Sequence, residues 1–305
     1  MRKPVETLGF RLGMLFIPLL PRRVAIWFAN LAGSLVYLFG RRERTNGLAN
    51  LDAVNGRSKT DSEKRTILLT SLRSFAQTMI DVFWFSLNPE KRVSQYFSFS
   101  TEAGVLLEDR AQILITAHFG NWELMGLSIS MQGIDVASIA ATTKNPAVDR
   151  HLRRLRQKTG QTIIAREGAL RTLIGRLRKG GKVAFVLDQN TRIQDGGIWV
   201  DFLGMSTPVS AAPAALAYRT GTEIVLAFSH PRGGGRYEAR IGQIIHPPPY
   251  DKNADTDKVV AALTQQFMDV VGRQILDTPE CWLWSYKHWR QIPPCMDSDR
   301  HPRYL

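Results

Sequence analysis

The chain has 305 residues, 44% of them hydrophobic, which is enough to bury the core of one large domain and excludes a disordered chain. Lysine and arginine number 40 against 27 acidic residues, and the resulting formal charge of +13 points to an anionic partner: nucleic acid, anionic lipid, or a phosphorylated substrate or carrier. The two cysteines, Cys281 and Cys295, form neither a metal-ligand pattern nor a disulfide framework, and read as structural residues of a reducing compartment.

Two apolar stretches open the chain, over 5–20 and 24–40, separated by Pro21-Arg22-Arg23 and flanked by Arg2-Lys3 and Arg41-Arg42-Glu43-Arg44. The first holds Glu6 and Arg11 and is broken by Pro18; the second has only Asn30 and Ser34 as polar residues. At ~1.5 Å per residue, about 16 helical residues cover ~24 Å, short of the ~30 Å hydrocarbon core of a bilayer. The expectation for 1–44 is therefore a membrane-associated helical hairpin lying in, or dipping into, an anionic leaflet, with Trp27, Phe28, Tyr37 and Phe39 at the interface. A cleaved signal peptide fits less well, since no small-residue cleavage site follows, and two buried helices of a soluble domain are the competing reading.

The remainder, 45–305, reads as one α/β domain. Thr60-Asp61-Ser62-Glu63 is a capping box ahead of an apolar face through Leu68, Leu72, Phe75, Met79 and Phe83, expected to be the first helix packed on the sheet. Strand patterns at 113–117, 136–140, 161–164, 183–187 and 224–229 then alternate with helical ones near 121–131, 146–158, 168–179 and 211–220. That alternation predicts a mixed, largely parallel sheet flanked by helices on both faces, and 236–241, after Gly233-Gly234-Gly235, is expected to add an antiparallel edge strand.

The most informative run follows the strand at 113–117: His118-Phe119-Gly120-Asn121-Trp122-Glu123. On a regular helix residues five apart point about 140° apart, so His118 and Glu123 meet only across a turn. If His118 ends the strand and Asn121 caps a helix carrying Glu123, that carboxylate accepts the Nδ1 proton and leaves Nε2 free to deprotonate a hydroxyl. Three further segments follow predicted strands, where ligands bind in open α/β sheets: Thr143-Lys144-Asn145, Arg166-Glu167-Gly168 and Asp188-Gln189-Asn190. Candidate substrate contacts are thus Asn121, Lys144, Asn145, Arg166, Glu167, Gly168, Asp188 and Gln189. Arg166 suits a phosphate or an oxyanion, whereas Asp188 reads as a helix cap or an arginine's partner, secondary to the chemistry. No metal-ligand set is present in the sequence.

The ordered set of motifs resembles the late acyltransferases of lipid A biosynthesis, the lauroyl and myristoyl transferases within the wider lysophospholipid and glycerolipid acyltransferases. Their H-x-x-x-x-(D/E) signature is matched by His118 and Glu123. The resemblance runs on through Lys144-Asn145-Pro146, Arg166, Lys179-Gly180-Gly181, Asp188-Gln189, Phe202-Leu203-Gly204, Thr207-Pro208 and Ala217-Tyr218-Arg219-Thr220-Gly221 to Trp282-Leu283-Trp284 and Trp289-Arg290. It implies a glycerolipid acyltransferase-like fold. It also implies transfer of a fatty acyl chain from an acyl carrier protein or coenzyme A thioester to a hydroxyl of a lipid A precursor, without a cofactor.

By the same resemblance His118 is the general base and Glu123 its orienting carboxylate, and the partners are acyl carrier protein, a glycolipid acceptor and the anionic surface of a bacterial inner membrane on its cytoplasmic side. No serine or cysteine is evidently placed for an acyl-enzyme, so direct transfer is the simpler mechanism. The oxyanion donor is either Arg166 or backbone N–H groups after His118. Arg153, Arg154, Arg156 and Lys158 form a cationic run suited to acceptor phosphates or an acidic carrier. The family's arginine just before the last tryptophan is missing from Trp284-Ser285-Tyr286-Lys287-His288-Trp289-Arg290; His288 reads as a packing or surface residue and the tryptophans as core or interface anchors. Other readings are an acyltransferase for a lysophospholipid or another glycolipid, and a non-catalytic membrane-binding relative. Nucleic-acid binding is disfavoured, because no such motif occurs and the basic residues are not interleaved with aromatics.

Overall fold

The computed structural model describes residues 2–139, 145–146, 149–150, 156, 160–164, 168–293 and 301–304. Helix α1 (Arg2–Phe16) ends in a 3-10 turn, and Pro21 starts α2 (Arg22–Phe39), which bends at Gly40 into α3 (Arg41–Asn55). Helix α4 (Asp61–Trp84) begins with the expected capping box: Glu63 N–H donates to Thr60 Oγ1 at 3.3 Å and Thr60 N–H donates to Glu63 Oε2 at 2.7 Å. Contrary to expectation, α4 packs chiefly on α2 and on the turn at Pro279–Cys281 rather than directly on the sheet. Ala25, Ala29 and Gly33 form the small face of α2 that makes this possible, all buried. A Cβ at Gly33 would stand 2.5 Å from Arg73 Cα, so the two helices touch backbone to backbone.

The opposite faces of these first helices are apolar and exposed: Leu8, Leu12 and Leu15 on α1, and Trp27, Leu31, Leu35 and Leu38 on α2, at the spacing of one helical stripe. Among the described residues no single helix is long and apolar enough to cross a membrane; α2 and α3 reach that length only as a pair bent by 86°.

Helix α5 (Pro89–Tyr96) leads into β1 (Phe97–Phe99), then β2 (Gln112–Thr116), α6 (Trp122–Met131), β3 (Val136–Ile139), β4 (Thr162–Ile164), α7 (Ala169–Arg178) and β5 (Lys182–Val186). A hairpin of β6 (Gly197–Phe202) and β7 (Met205–Ser210) follows, then α8 (Ala212–Thr220), β8 (Ile224–Pro231), β9 (Tyr237–Ile245) and α9 (Thr256–Asp277). Among the described residues seven strands form one sheet in the order β1-β9-β8-β2-β5-β3-β4, every pair parallel except β8 with β9. The expected mixed, largely parallel sheet is therefore present, with one correction: β9 is not an edge strand, because β1 pairs outside it.

Strict alternation divides the core between the two faces of the sheet. Ile113, Ile115, Val183, Phe185, Ile224 and Leu226 face α7, α8, α9 and the β6–β7 hairpin, while Leu114, Val136, Val225 and Ala227 face α6. The helix expected at 146–158 falls largely outside the described residues. Elements beyond the expected set include α3, α5, β1, the β6–β7 hairpin and α9. Strand β1 is only three residues long. The hairpin turns on Leu203-Gly204, both with positive φ, which non-glycine residues rarely signal. Helix α9 does carry a readable signal, an Asp255 cap and an apolar stripe through Val260, Leu263, Phe267 and Val271.

Candidate active site

Parallel register builds the centre of the site. Strands β2 and β5 are neighbours with Thr116 opposite Val186, and Leu187 N–H donates to Thr116 O at 3.0 Å. His118 and Asp188 therefore each stand two residues beyond a matched pair, at the carboxyl ends of adjacent strands. Nδ1 of His118 lies 2.8 Å from Asp188 Oδ1, and Trp282 Nε1 donates to Asp188 Oδ2 at 2.8 Å. Both carboxylate oxygens are thus committed, so Asp188 holds the imidazole in the tautomer that carries hydrogen on Nδ1 and a lone pair on Nε2.

The electrostatics agree with that geometry. Burial disfavours the imidazolium of His118, but the Asp188 carboxylate, by charge and hydrogen bond, and Glu123, by charge, outweigh it and raise the pKa above its ordinary 6.5. Burial likewise opposes the charge on Asp188, yet His118, the nearby His288 and the Trp282 hydrogen bond bring its carboxyl down to about 2. Asp188 is ionised at any working pH.

This corrects the expected role of Glu123. Its carboxylate is engaged by Arg156 in a two-pronged pair, Nη2 to Oε1 at 2.6 Å and Nε to Oε2 at 3.2 Å, and does not hold Nδ1 of His118. The place of Asp188 changes in turn, from a cap or an arginine's partner to the residue that orients the His118 imidazole. Arg156, expected in a cationic surface run, instead stands at the site; Arg153, Arg154 and Lys158 lie outside the described residues, as do Lys144, Arg166 and Glu167.

Turn residues 119–121 are clamped on every side. Phe119 N–H donates to Ala117 O and Gly120 N–H to Cys281 O, so these two amides are committed and do not serve an oxyanion, contrary to one expectation above. Gly120 has φ +54°, and a Cβ there would stand 1.7 Å from Ser229 O, which admits only glycine. Asn121 caps α6 as expected, Oδ1 accepting from Leu124 N–H at 3.0 Å, but it is 1% exposed and is no substrate contact. Asn145 is buried, donating to Thr7 Oγ1 of α1, and Gly168 opens α7 with φ +70°; neither lines the cleft beside His118. Gln189 does line it, with Nε2 3.4 Å from His118 Nε2. His288 is buried and stacked on Trp282, and burial pushes its pKa down to about 4, so it is a packing residue.

From His118 a cavity of about 330 Å³ runs back along one face of the sheet beneath α6. Its roof is the helical face Trp122, Met125, Gly126 and Ile129. Its floor comprises Thr116 and Val186 nearest the histidine, then the row Leu114, Ala184 and Ser138, then Val136. Such a cavity, largely apolar but with Thr116, Ser138, Asp149 and Gln161 also in its lining, and with His118, Glu123, Arg156 and Gln189 grouped as polar residues, suits a long hydrocarbon chain with a reactive head. Among the described residues no cluster of histidine, cysteine and carboxylate groups is suited to a metal ion.

Both halves of the His118–Asp188 pair carried a sequence signal. The predicted strands at 113–117 and 183–187 end immediately before His118 and Asp188, so pairing those strands would have joined the two residues.

Known proteins similar to this chain have related names. A phosphatidylinositol mannoside acyltransferase of Mycolicibacterium smegmatis is 24% identical over 184 residues, covering 59% of this chain and 57% of that protein. A lipid A biosynthesis acyltransferase of Haemophilus influenzae is 21% identical over 285 residues, 90% of this chain and 86% of that one. Among solved structures, the 1-acyl-sn-glycerophosphate acyltransferase of Thermotoga maritima matches with a TM-score of 0.35 and 15% identity over 82% of this chain and 97% of its own. The sequence model of one family matches residues 4–291, nearly the whole chain, and this protein belongs to it: the bacterial lipid A biosynthesis acyltransferases.

Proposed function

We propose that the protein transfers a fatty acyl chain from an acyl carrier protein or coenzyme A thioester to a hydroxyl of a lipid A precursor glycolipid, at the cytoplasmic face of a bacterial inner membrane. The observation that carries this reading is the buried Asp188 fixing His118 in the lining of a largely apolar cavity. His118 Nε2 removes the acceptor's proton as its oxygen attacks the thioester carbonyl. The tetrahedral oxyanion then collapses, the carbon–sulfur bond breaks, and the leaving thiolate takes the proton back from Nε2. Arg156, held by Glu123 in the lining of the cavity that also holds His118, is assigned to the developing oxyanion, a contribution of about 3 kcal/mol for a single well-placed donor.

The exposed apolar stripes of α1 and α2 support attachment to a bilayer by helices lying in the interface, which brings a lipid acceptor to the cleft. The cationic excess of the chain suits both an anionic leaflet and an acidic carrier. Name and alignment of the mycobacterial relative favour a second acceptor class, a mannosylated phospholipid.

The purified protein, offered dodecanoyl-acyl carrier protein or dodecanoyl-coenzyme A with either a lipid A precursor or a phosphatidylinositol mannoside, tests the reading. One added acyl group on the lipid A precursor is the expected product. Acylation of the mannoside alone favours the second acceptor, and no acylation of any lipid with either donor contradicts the proposal.

A further inference from the structure

Beneath the turn that carries His118 lies a buried polar cluster that the acyl-transfer chemistry does not itself use. At its centre is Asp81, on α4 and 2% exposed. Its Oδ1 accepts from Arg22 Nη1 at 2.5 Å and Gln77 Nε2 at 2.6 Å; its Oδ2 accepts from Arg22 Nη2 at 3.2 Å, Tyr237 Oη at 2.8 Å and Asn121 Nδ2 at 2.9 Å. Arg22 is the first residue of α2 and also donates to Gly235 O at 2.7 Å. One carboxylate thus gathers the start of the exposed apolar helix, the start of β9 and the cap of α6.

From the geometry we infer that Asp81 is a positioning residue for acyl transfer, fixing the side-chain amide of Asn121 and, through it, the first turn of α6 against His118. The reason lies in what Asn121 does with its two ends. Donating Nδ2 to Asp81 forces Oδ1 toward Leu124 N–H, the bond that caps α6. The next residue, Trp122, meets the His118 ring edge to face at 4.8 Å, and the one after it, Glu123, holds Arg156. Rotation of the Asn121 amide would release the cap and both of those contacts together. Arg22 and Asp81 are oppositely charged and both buried, so removing either one alone leaves the other without its counter-charge. Tyr237 is buried beside that carboxylate, and burial first, then the neighbouring charge, holds its phenol protonated and therefore a donor.

The inference rests on the proposed reaction only for its kinetic arm; a ring-proton resonance of His118, shifted by the Trp122 indole, reports the same geometry without substrate. Asp81→Asn and Asn121→Ala are each expected to move that resonance and to lower kcat about tenfold with the thioester KM within about twofold. The double variant is expected to be no worse in kcat than Asn121→Ala alone, because both act on one cap. An Asp81→Asn protein with the wild-type resonance, or kcat losses that multiply, overturns the inference. Should Asp81→Asn not fold, Tyr237→Phe keeps both charges and removes one donor; an unmoved His118 resonance there overturns it equally. A wild-type protein inert toward every donor and acceptor refutes the proposed reaction and leaves the resonance test standing.

Discussion

Nδ1 of His118 lies 2.8 Å from Oδ1 of Asp188, a residue 70 positions away in the chain, while Glu123, five positions away, is occupied by Arg156. His118 and the carboxylate that fixes its imidazole are therefore brought together by the pairing of two strands, and the H-x-x-x-x-E spacing serves a different purpose, the holding of a guanidinium.

That division of labour ranks two substitutions. Asp188→Asn keeps the shape but presents an amide where the imidazole needs an acceptor, and kcat is expected to fall by roughly 10³-fold or more. Glu123→Gln loosens Arg156 and is expected to cost about 10- to 100-fold. Steady-state acyl transfer checks this, and a larger loss for Glu123→Gln would reverse the two roles.

The same pair sets the pH dependence. Only the neutral imidazole accepts a proton, and the pKa of His118 is raised above 6.5, so kcat/KM rises with pH through a midpoint above that value. In Asp188→Asn the carboxylate that raises the pKa is gone while burial remains, so the residual activity should show a lower midpoint. A pH–rate profile unchanged by the substitution would contradict this.

Half of this arrangement was legible in the residues. His118 at a strand end, Asn121 as a cap, the capping box at Thr60 and the alternating strands all follow from local pattern, because each depends on neighbours within one turn or one strand. Asp188 was underrated for a different reason. Its strand β5 lies beside β2, although β3 and β4 come between them in the chain, and that order is fixed by packing across the sheet rather than by any local signal. Packing of α4 on α2 likewise has no local signal in α4, since the deciding feature is the small face of Ala25, Ala29 and Gly33 on another helix.

Turn rigidity can be tested at Gly120. With φ +54° and Ser229 O where a Cβ would be, Gly120→Ala must move the backbone of β8 or of the turn itself. A loss of about 3 kcal/mol or more in unfolding free energy is expected from denaturant titration, with activity falling alongside. Wild-type stability would show that the turn yields.

Cavity depth should set the length of the transferred chain. Ala184 sits in the second floor row from His118, and Ala184→Leu adds three carbons to the lining, displacing roughly three methylenes of the ligand at ~0.8 kcal/mol each. A shift of the preferred donor toward shorter chains, read by mass spectrometry of products from mixed donors, is the expected outcome; an unchanged preference would place the chain elsewhere.

Leu31 and Leu35 are exposed on the stripe of α2 that faces away from α4. Leu31→Asp with Leu35→Asp should lower binding to phosphatidylglycerol vesicles at least about tenfold in sedimentation, since each buried leucine is worth roughly 1.5–3 kcal/mol. Undiminished binding would show that Leu31 and Leu35 do not carry the attachment.

The most direct test is the mass of the lipid A fraction from cells lacking this protein, complemented with the wild type or with His118→Ala. Lipid A one acyl chain heavier with the wild type and unchanged with His118→Ala is the predicted result. The same gain of mass from both proteins would contradict a reaction driven by this histidine.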